Sequence, residues 1–260
     1  MPYDPEAVRK SYDHVAEEED RAEKMPSLRT EIPREFIKKY LKASDFVIDA
    51  GGGTGINAIM MAQRCKKVTL VDISSRILEL AALNIEYAGL TGRIDFLEGD
   101  ITNLEQFGDG EFSFMVCVGD SISYVLEKGF KAVQELVRVT RKGSFLVVGC
   151  DSKYGFMRLR LSQGSLDEAL AIYQTGESYC GMGPKTHFYT VAEMTALLEN
   201  AGCDILEVAS TPTFTDTIEK NMYTSSPKKW EQLKALELEV CRTPELLGMG
   251  LHLLFVAKKR

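Results

Sequence analysis

The stretch DAGGGTG at residues 49–55 places four glycines directly behind the apolar pair Val47-Ile48. Glycines at this density cannot fill a hydrophobic core, but they allow turns and close backbone contacts that a Cβ atom would prevent. A glycine turn of this kind joins a strand to a helix in several ligand-binding α/β folds. We therefore expect a strand, a tight turn and a helix here, with a ligand close to the backbone of the turn.

The surrounding sequence alternates between strand-like and helix-like segments. Apolar, β-branched stretches predict strands at 46–50, 67–71, 94–97, 112–118 and 144–150, and helical periodicity predicts helices at 56–64, 75–88 and 130–140. A parallel sheet with helices on both faces is the economical solution for such a pattern. The predicted fold class is therefore α/β.

Two stretches, 151–185 and 211–247, interrupt this alternation. Outside them the pattern predicts a short helix at 33–42, a helix that begins at the capping box of Thr190 and Glu193, and strands at 203–209 and 251–257. A further helix is expected at 228–241, within the second stretch. Both stretches contain aromatic and apolar residues, so we interpret them as ordered covers within one domain spanning 1–260.

Composition bears on the cellular setting and on the partners. The 260 residues carry a net charge of -7, which argues against nucleic acid as the main partner. We expect no signal peptide, because the first residues are charged, and no membrane association, because no apolar run is long enough to span a bilayer. The acidic run at 17–20 predicts a solvated helix face. A monomer or a homodimer is compatible with the sequence.

The six cysteines are scattered, without a C-x-x-C pair or a Cys/His cluster. Neither a metal site nor a disulfide framework is therefore predicted, and a reducing cytoplasm is the expected location. Cys150 and Cys180 could together bind a thiophilic acceptor such as arsenite, although buried cysteines more often act as small apolar side chains.

The spacing of the glycines separates the ligand classes that use such a turn. A phosphate-binding P-loop requires a lysine after its last glycine, and none follows Gly55. The dinucleotide fingerprint G-x-G-x-x-G fails from Gly51, but from Gly53 it reads G-x-G-x-x-A, an allowed variant, so NAD stays an alternative. The third spacing, G-x-G-x-G, is formed by Gly51, Gly53 and Gly55.

This third spacing resembles the first motif of the class I S-adenosylmethionine-dependent methyltransferases. The resemblance extends in order along residues 46–150, and its four motifs are VIDAGGGTG at 47–55, VDIS at 71–74, EGDI at 98–101 and FSFMVCVGD at 112–120. It implies a seven-stranded, mostly parallel, doubly wound sheet whose last strand is antiparallel. It also implies an N-terminal helical lid at 1–44 and two cover insertions, 151–185 and 211–247, over the acceptor site.

The resemblance implies S-adenosylmethionine as the cofactor and S-adenosylhomocysteine as its product. The positions that match the family's cofactor contacts are Asp49, Gly51, Gly52, Gly53, Asp72, Ile73, Asp100, Ile101, Val118 and Gly119, with Arg29 expected at the cofactor's carboxylate. In this assignment Asp72 accepts from the ribose hydroxyls and Asp100 from the adenine amine. Asp72 could instead cap the following helix and Asp100 could instead stabilise a turn.

The acceptor of the methyl group is expected to be a small molecule with an O, N, S or C atom to be methylated. Gly119-Asp120-Ser121-Ile122 departs from the N-P-P-Y signature of enzymes that methylate nucleobase amines. The candidates for catalysis are His187 and Asp120, and those for substrate contact are Tyr12, Tyr124, Tyr154 and Tyr189. His14 and Tyr12 are expected in the lid, and His252 is expected to be structural.

Methyl transfer from a sulfonium is an in-line displacement that depends mainly on proximity and alignment. A general base is needed only where the acceptor arrives protonated. Two alternatives of other kinds are an NAD-dependent oxidoreductase and a non-catalytic module that keeps the fold as a scaffold.

Overall fold

A computed structural model describes residues 2–179, 183–215 and 225–260. Seven strands form one sheet in the order β3-β2-β1-β4-β5-β9-β8, and β6 and β7 form a separate hairpin. The strands are β1 Phe46–Ala50, β2 Lys67–Asp72, β3 Ile94–Glu98, β4 Phe112–Cys117, β5 Thr140–Asp151, β6 Glu177–Tyr179, β7 Lys185–His187, β8 Cys203–Thr211 and β9 His252–Lys259. Strands β1 to β5 pair in parallel, and β9 runs antiparallel to β5 and β8. The predicted sheet with an antiparallel last strand is confirmed.

The described helices lie between these strands and at the N-terminus. They are α1 Pro5–Lys24, α2 Leu28–Tyr40, α3 Ile56–Ala62, α4 Ser75–Tyr87, α5 Ser121–Tyr124, α6 Gly129–Val139, α7 Lys153–Ser162, α8 Leu166–Thr175, α9 Val191–Asn200 and α10 Pro227–Val240, with short 3-10 turns at Leu126–Lys128 and Pro244–Leu246. The predicted capping box at α9 is present, with both reciprocal hydrogen bonds between Thr190 and Glu193. No helix in the described ranges has the length and apolar character needed to cross a membrane.

The sheet is buried on both faces, which explains the nearly continuous apolar strands. Along β1, Ile48 and Ala50 contact one apolar layer, formed largely by α6 and α9. Val47 contacts the opposite layer, formed by α2, α3 and α4. Side chains alternate between the two faces of a strand, and helices cover both faces of this sheet. Burial on both sides fixes the register of the central strands and with it the position of the turn after β1.

The first helix lies across one edge of the sheet and is held by polar contacts. Asp4 caps it by accepting from the backbone N–H groups of Glu6 and Ala7. Acidic residues three or four positions apart then contact the main body of the protein, in the pairs Asp13 with Ser74, Glu17 with Arg76, Asp20 with Asn84 and Glu23 with Thr54. This spacing places them along one side of α1. The predicted solvated face at 17–20 is therefore wrong in part, because only Glu17 and Glu18 are exposed.

The two interruptions contain ordered elements. The first contains α7, α8 and β6, and β7 begins at its end. In the second, Lys234 of α10 forms ion pairs with Glu31 and Glu35 of α2. Cys180 lies outside the described residues, so the thiophilic-acceptor hypothesis involving Cys150 and Cys180 stays a hypothesis. The thiol of Cys150 is fully buried.

The start of the second interruption depends on a single buried carboxylate. Glu237 of α10, 1% exposed, accepts hydrogen bonds from the consecutive backbone N–H groups of Thr213, Phe214 and Thr215 at 2.7, 2.9 and 3.0 Å. Consecutive N–H groups of this kind form a concave anion site. The carboxylate supplies an acceptor to all three donors, and that of Thr213 is buried from water.

We expect Glu237→Ala to lower the free energy of unfolding by about 2–4 kcal/mol, because it removes three charge-assisted hydrogen bonds and leaves the buried donor of Thr213 unpaired. Denaturant unfolding measures this effect. Glu239→Ala, at an exposed position of the same helix, is the matched control and should change stability by less than about 0.5 kcal/mol. Equal losses for the two variants would show that the carboxylate has no special role.

Candidate functional site

A cavity of about 500 Å³ lies at the edge of the sheet where the parallel strands end. Helices α1 and α2 cover it, and the turns after β1, β2, β3 and β4 form its floor, together with Thr211 at the end of β8 and His252 at the start of β9. Ligands of open α/β sheets bind at this edge because the strands end there in loops free to carry polar groups. The position of the cavity therefore agrees with the prediction made from the glycine turn.

The glycine turn has the conformation for which only glycine is suited. Gly51 and Gly53 have φ values of 69° and 58°. A Cβ atom at Gly51 would overlap the side chain of Ser121, and one at Gly53 would overlap the carboxylate of Glu23. Gly51 and Gly52 donate to the carbonyl of Val71 at 2.7 and 3.1 Å, which fixes the turn to β2. All three glycines line the cavity.

Asp72, at the end of β2, connects the turn to the next helix. Its carboxylate accepts from the N–H groups of Gly53 and Ser74, both at 3.0 Å. The side chain that caps α4 is that of Ser74, so the alternative of Asp72 as the helix cap is wrong. Each carboxylate oxygen keeps a further lone pair for a ligand. Burial, the largest influence, raises the pKa of Asp72, and hydrogen bonds from the backbone oppose it.

Asp100 follows β3 and also lines the cavity. It accepts from the N–H of Thr102 at 2.8 Å, which is the turn-stabilising contact that the sequence offered as an alternative role. Tyr3 lies beside it, and burial together with the Asp100 carboxylate raises the pKa of the Tyr3 hydroxyl. Tyr3 was not predicted as a site residue.

Buried negative charge surrounds the glycine turn. Burial, with Glu23 and Asp72 nearby, raises the pKa of Asp49 to about 8, and its Oδ2 atom has no hydrogen-bond partner among the described residues. Burial likewise raises the pKa of Glu23 to about 7, although Thr54 donates to it at 2.6 Å. Carboxylates whose pKa values are raised, one of them with an oxygen that has no hydrogen-bond partner, favour a positively charged ligand. Such a ligand would stabilise their ionised forms.

A second polar cluster lies beyond β4, on the other side of the turn. Asp120 accepts from Arg29 Nη2 at 2.6 Å and lies 2.9 Å from Nδ1 of His252. Asp151, at the end of β5, lies 3.1 Å from the same nitrogen. Asp120 has a φ of 74°, a left-handed conformation that is uncommon outside glycine and is found at functional sites. Arg29, predicted at the cofactor's carboxylate, is therefore paired with Asp120 in this structure.

The structure brings most of the predicted site residues together. Those that line the cavity are Tyr12, Arg29, Gly51, Gly52, Gly53, Asp72, Ile73, Asp100, Ile101, Val118, Gly119, Asp120 and Tyr124. Asp49 is buried directly behind the glycine turn. The rings of Tyr12 and Tyr124 meet edge to face, with centroids 5.5 Å apart. Their roles toward a ligand stay predictions.

Three predicted acceptor-side residues do not line the cavity. His187 lies on β7 with its ring edge-on to Tyr189, the centroids 4.4 Å apart, and burial lowers its pKa. Tyr189 is 3% exposed and donates to the carbonyl of Ile122. Tyr154 is 54% exposed on α7. The structure corrects the placement of these three, which lie beside the cavity; near the hairpin it is Gly183 and Pro184, directly before β7, that line it.

The covers contribute less to the cavity than expected. Among their described residues, Gly183, Pro184 and Thr211 line it. The residues of the covers at 180–182 and 216–224 lie outside the described part of the chain. The roof is instead formed by α1, through side chains that include Tyr12, Glu19 and Glu23. His14 is exposed on this helix.

Sequence reasoning missed Glu19, Glu23 and His252 as cavity residues and Asp151 behind them. The carboxylates of α1 could have been predicted as cavity residues, because they are concentrated on two turns of the helix that covers the site. His252 could also have been predicted, because an antiparallel last strand begins at the edge where the parallel strands end. Its first residue, His252, therefore lies beside Asp120 and Asp151.

Comparison with known proteins agrees with the fold and the site. Residues 47–143 match the protein family described as a methyltransferase domain. This segment contains the glycine turn, Asp72, Asp100 and Asp120. The match and the sheet order agree with the class I S-adenosylmethionine-dependent methyltransferases, so the predicted resemblance, its fold and its cofactor are confirmed. The NAD alternative has no support in these matches.

Particular relatives differ in what they methylate. A methyltransferase of Geobacillus sp. (strain WCH70) is 31% identical over 113 residues, 40% of this chain and 44% of the relative. The tRNA 5-carboxymethoxyuridine methyltransferase of Escherichia coli (strain K12) is 25% identical over 222 residues, 82% of this chain and 79% of the relative. The chain spans less than half the length of the first curated relatives it matches.

Among solved structures, the 1,6-didemethyltoxoflavin-N1-methyltransferase of Burkholderia thailandensis, with its substrate and S-adenosylhomocysteine bound, superposes with a TM-score of 0.63. It is 12% identical and the alignment covers 98% of this chain and 88% of that one. At this identity the likeness concerns the fold alone.

The residues of the first cluster fit S-adenosylmethionine. The ligand carries an ammonium and a sulfonium, and the site offers Asp49 with its orphaned oxygen, Glu23 and Asp72. Gly51, Gly52 and Gly53 line the cavity, so a ligand can approach their backbone without meeting a side chain of the turn. Asp72 and Asp100 offer free lone pairs to hydroxyl and amine donors, respectively.

We expect cofactor binding to release protons near neutral pH. At pH 7 Glu23 and Asp49, with pKa values of about 7 and about 8, are partly protonated in the free protein, and a cationic ligand favours their ionised forms. The affinity for S-adenosylmethionine should therefore rise as the pH rises from 6 to 8. Calorimetry at pH 7 in two buffers of different ionisation enthalpy measures the protons released.

Glu23→Gln should reduce this proton release, and Glu105→Gln, at an exposed position outside the cavity, should leave it unchanged. A binding enthalpy that is independent of the buffer, together with an affinity that is flat across this pH range, would contradict the linkage.

Proposed function

We propose that the chain transfers a methyl group from S-adenosylmethionine to a small-molecule acceptor enclosed beneath α1. The observation that carries this proposal is the division of one covered cavity into two polar sides. The turns after β1, β2 and β3 form the cofactor side, and Asp120, Thr211 and His252 form the acceptor side. Because these strands are neighbours in the sheet, a ligand on one side would lie against a ligand on the other.

On the cofactor side, Gly51 to Gly53, Asp49 and Glu23 would hold the methionine end, Asp72 the ribose and Asp100 the adenine. When bound, the sulfonium supplies a methyl carbon, whose bond to sulfur breaks with the electron pair returning to sulfur as the bond to the acceptor forms. The residues of the chain contribute by binding, orienting and excluding water, which suits a reaction that depends on alignment.

Two features support an acceptor of small size. Helix α1 is held over the cavity by contacts along one side, from Asp13 to Glu23. A folded macromolecule would have to displace this helix to reach the methyl group. The acidic lining also repels phosphates, which dominate the affinity of proteins for nucleic acids. Both features favour a neutral or cationic small molecule.

Transfer RNA is a second candidate acceptor. The Escherichia coli relative that aligns with 82% of this chain is named for methylating a carboxymethoxyuridine in tRNA. Incubation of the protein with radiolabelled S-adenosylmethionine and total tRNA tests this candidate. Label in the RNA fraction, rather than in low-mass products, would overturn the small-molecule proposal.

The cofactor assignment is tested by binding of S-adenosylhomocysteine. We expect Asp72→Ala to weaken binding by about 1–3 kcal/mol, through loss of charged hydrogen bonds to the ligand and to Gly53. Asp95→Ala, on the neighbouring strand and 61% exposed, is the matched control and should bind as the wild type does. Calorimetry gives the affinities, and thermal unfolding shows that both variants are folded.

Failure of the wild-type protein to bind S-adenosylhomocysteine would overturn the proposed activity. Binding without label transfer to any RNA, protein or small-molecule fraction of a cell extract would instead favour the scaffold alternative, a module that keeps the fold without catalysis.

A further inference from the structure

His252 lines the cavity and has a ring nitrogen without a hydrogen-bond partner among the described residues. The residue is 5% exposed, and this nitrogen, Nε2, is buried. Its other nitrogen, Nδ1, lies 2.9 Å from Asp120 Oδ1 and 3.1 Å from Asp151 Oδ1. A buried polar atom without a partner is costly, and such atoms mark places where a ligand is expected.

The topology explains why these three residues meet. Asp151 and His252 are direct partners in the antiparallel pairing of β5 with β9, so their side chains are neighbours. Asp120 follows β4, which pairs with β5 on its other side. Ser123 accepts from the backbone N–H of Asp151 at 2.9 Å, and this hydrogen bond joins the end of β5 to α5. The ring of Phe156 packs edge-on against the imidazole.

The two carboxylates determine which nitrogen carries the proton. Both are acceptors when ionised, so Nδ1 must carry a hydrogen to satisfy them. In the neutral imidazole the lone pair is then on Nε2, the nitrogen that has no partner among the described residues. This arrangement is one in which a carboxylate orients a histidine and stabilises the imidazolium formed when Nε2 accepts a proton.

The charges around the ring have opposing effects. Asp120 and Asp151 face it from β4 and β5, Arg29 from α2, and the hydroxyls of Tyr12 and Tyr124 lie near Asp120. Burial lowers the pKa of His252, but the attraction of Asp120 and the hydrogen bonds to both carboxylates outweigh it and raise the pKa above its ordinary value. Burial and the neighbouring Asp120 raise the pKa of Asp151, while His252 and Arg29 lower that of Asp120.

We propose that His252 is the general base of the methyl transfer, taking a proton at Nε2 from a hydroxyl or N–H acceptor, with Asp120 and Asp151 as positioning residues. This inference rests on the proposed function and deepens it, since it specifies an acceptor that arrives protonated. As the acceptor's lone pair forms the bond to the methyl carbon, its proton passes to Nε2. The imidazolium then returns the proton to water before the next turnover.

The first test is direct and requires no acceptor. The chain contains three histidines, so long-range ¹H–¹⁵N spectra of the labelled protein with bound S-adenosylhomocysteine resolve each ring, and His252→Gln assigns the signals. We expect neutral His252 to be the Nδ1–H tautomer, with a pKa above 6.5. Asp151→Asn should lower this pKa, and Asp167→Asn, at an exposed position of α8, should leave it unchanged.

An Nε2–H tautomer for neutral His252 would overturn the proposal, because that nitrogen could not then accept a proton. A spectrum of the free protein that already shows the Nδ1–H form would support it. Loss of S-adenosylhomocysteine binding in the wild type would instead count against the proposed function, which separates the two failures.

The second test uses label transfer to a panel of small phenols, alcohols and secondary amines, with the phenols as the probe of an acidic hydroxyl. We expect turnover to rise with pH through one ionisation above 6.5, and His252→Gln to lower kcat by about 10²–10⁴-fold and to remove this rise, without changing the affinity for S-adenosylhomocysteine. Asp151→Asn should lower kcat and shift the ionisation to lower pH.

The same substitution at His187 distinguishes the two histidines. A pH-dependent rise that is lost in His187→Gln and kept in His252→Gln would overturn the proposal. Turnover that is abolished by a chelator and restored by a divalent cation would also overturn it, because the cluster would then hold a metal and not a proton.

Discussion

A parallel sheet brings the ends of its strands to one edge, and the polar groups that follow these strands depend on this constraint. Five parallel strands bring the glycine turn, Asp72, Asp100, Asp120 and Asp151 to that edge from distant parts of the sequence. Because the central strands β1 and β4 are buried on both faces, a register slip that moved the residues at their ends would disrupt the core packing. The chemistry of the site is therefore as firmly positioned as the core.

The edge gathers more negative than positive charge. Asp49, Glu23 and Asp72 lie on the cofactor side, and burial together with neighbouring carboxylates raises their pKa values. On the acceptor side Arg29 and His252 balance Asp120 and Asp151. The proposed function assigns different partners to the two sides, a cationic ligand to one and a group that gives up a proton to the other.

The sequence predicted the sheet closely, because apolar strands and glycine turns leave local signals. The predicted start of β5, at 144, is late, because the strand begins at Thr140. The residues Thr-Arg-Lys-Gly at 140–143 are not typical of a strand, so the sequence did not indicate this extension. Local pattern also favoured His187, beside a capped helix, over His252, within an apolar strand. Only the pairing of β5 with β9, a contact between distant segments, places His252 against Asp151.

Helix α1 is attached to the body of the protein mainly through side-chain polar contacts, and of its residues only Val8 and Ala16 are buried. Such an attachment loses little apolar burial when it opens, so opening costs less than loss of any sheet strand. Met25, Pro26 and Ser27 form the short connection to α2 about which the helix could swing. In the proposed enzyme, exchange of spent for fresh cofactor is then expected to be gated by the release of this helix. Its rate should rise with ionic strength, because salt screens the surface ion pair between Glu17 and Arg76.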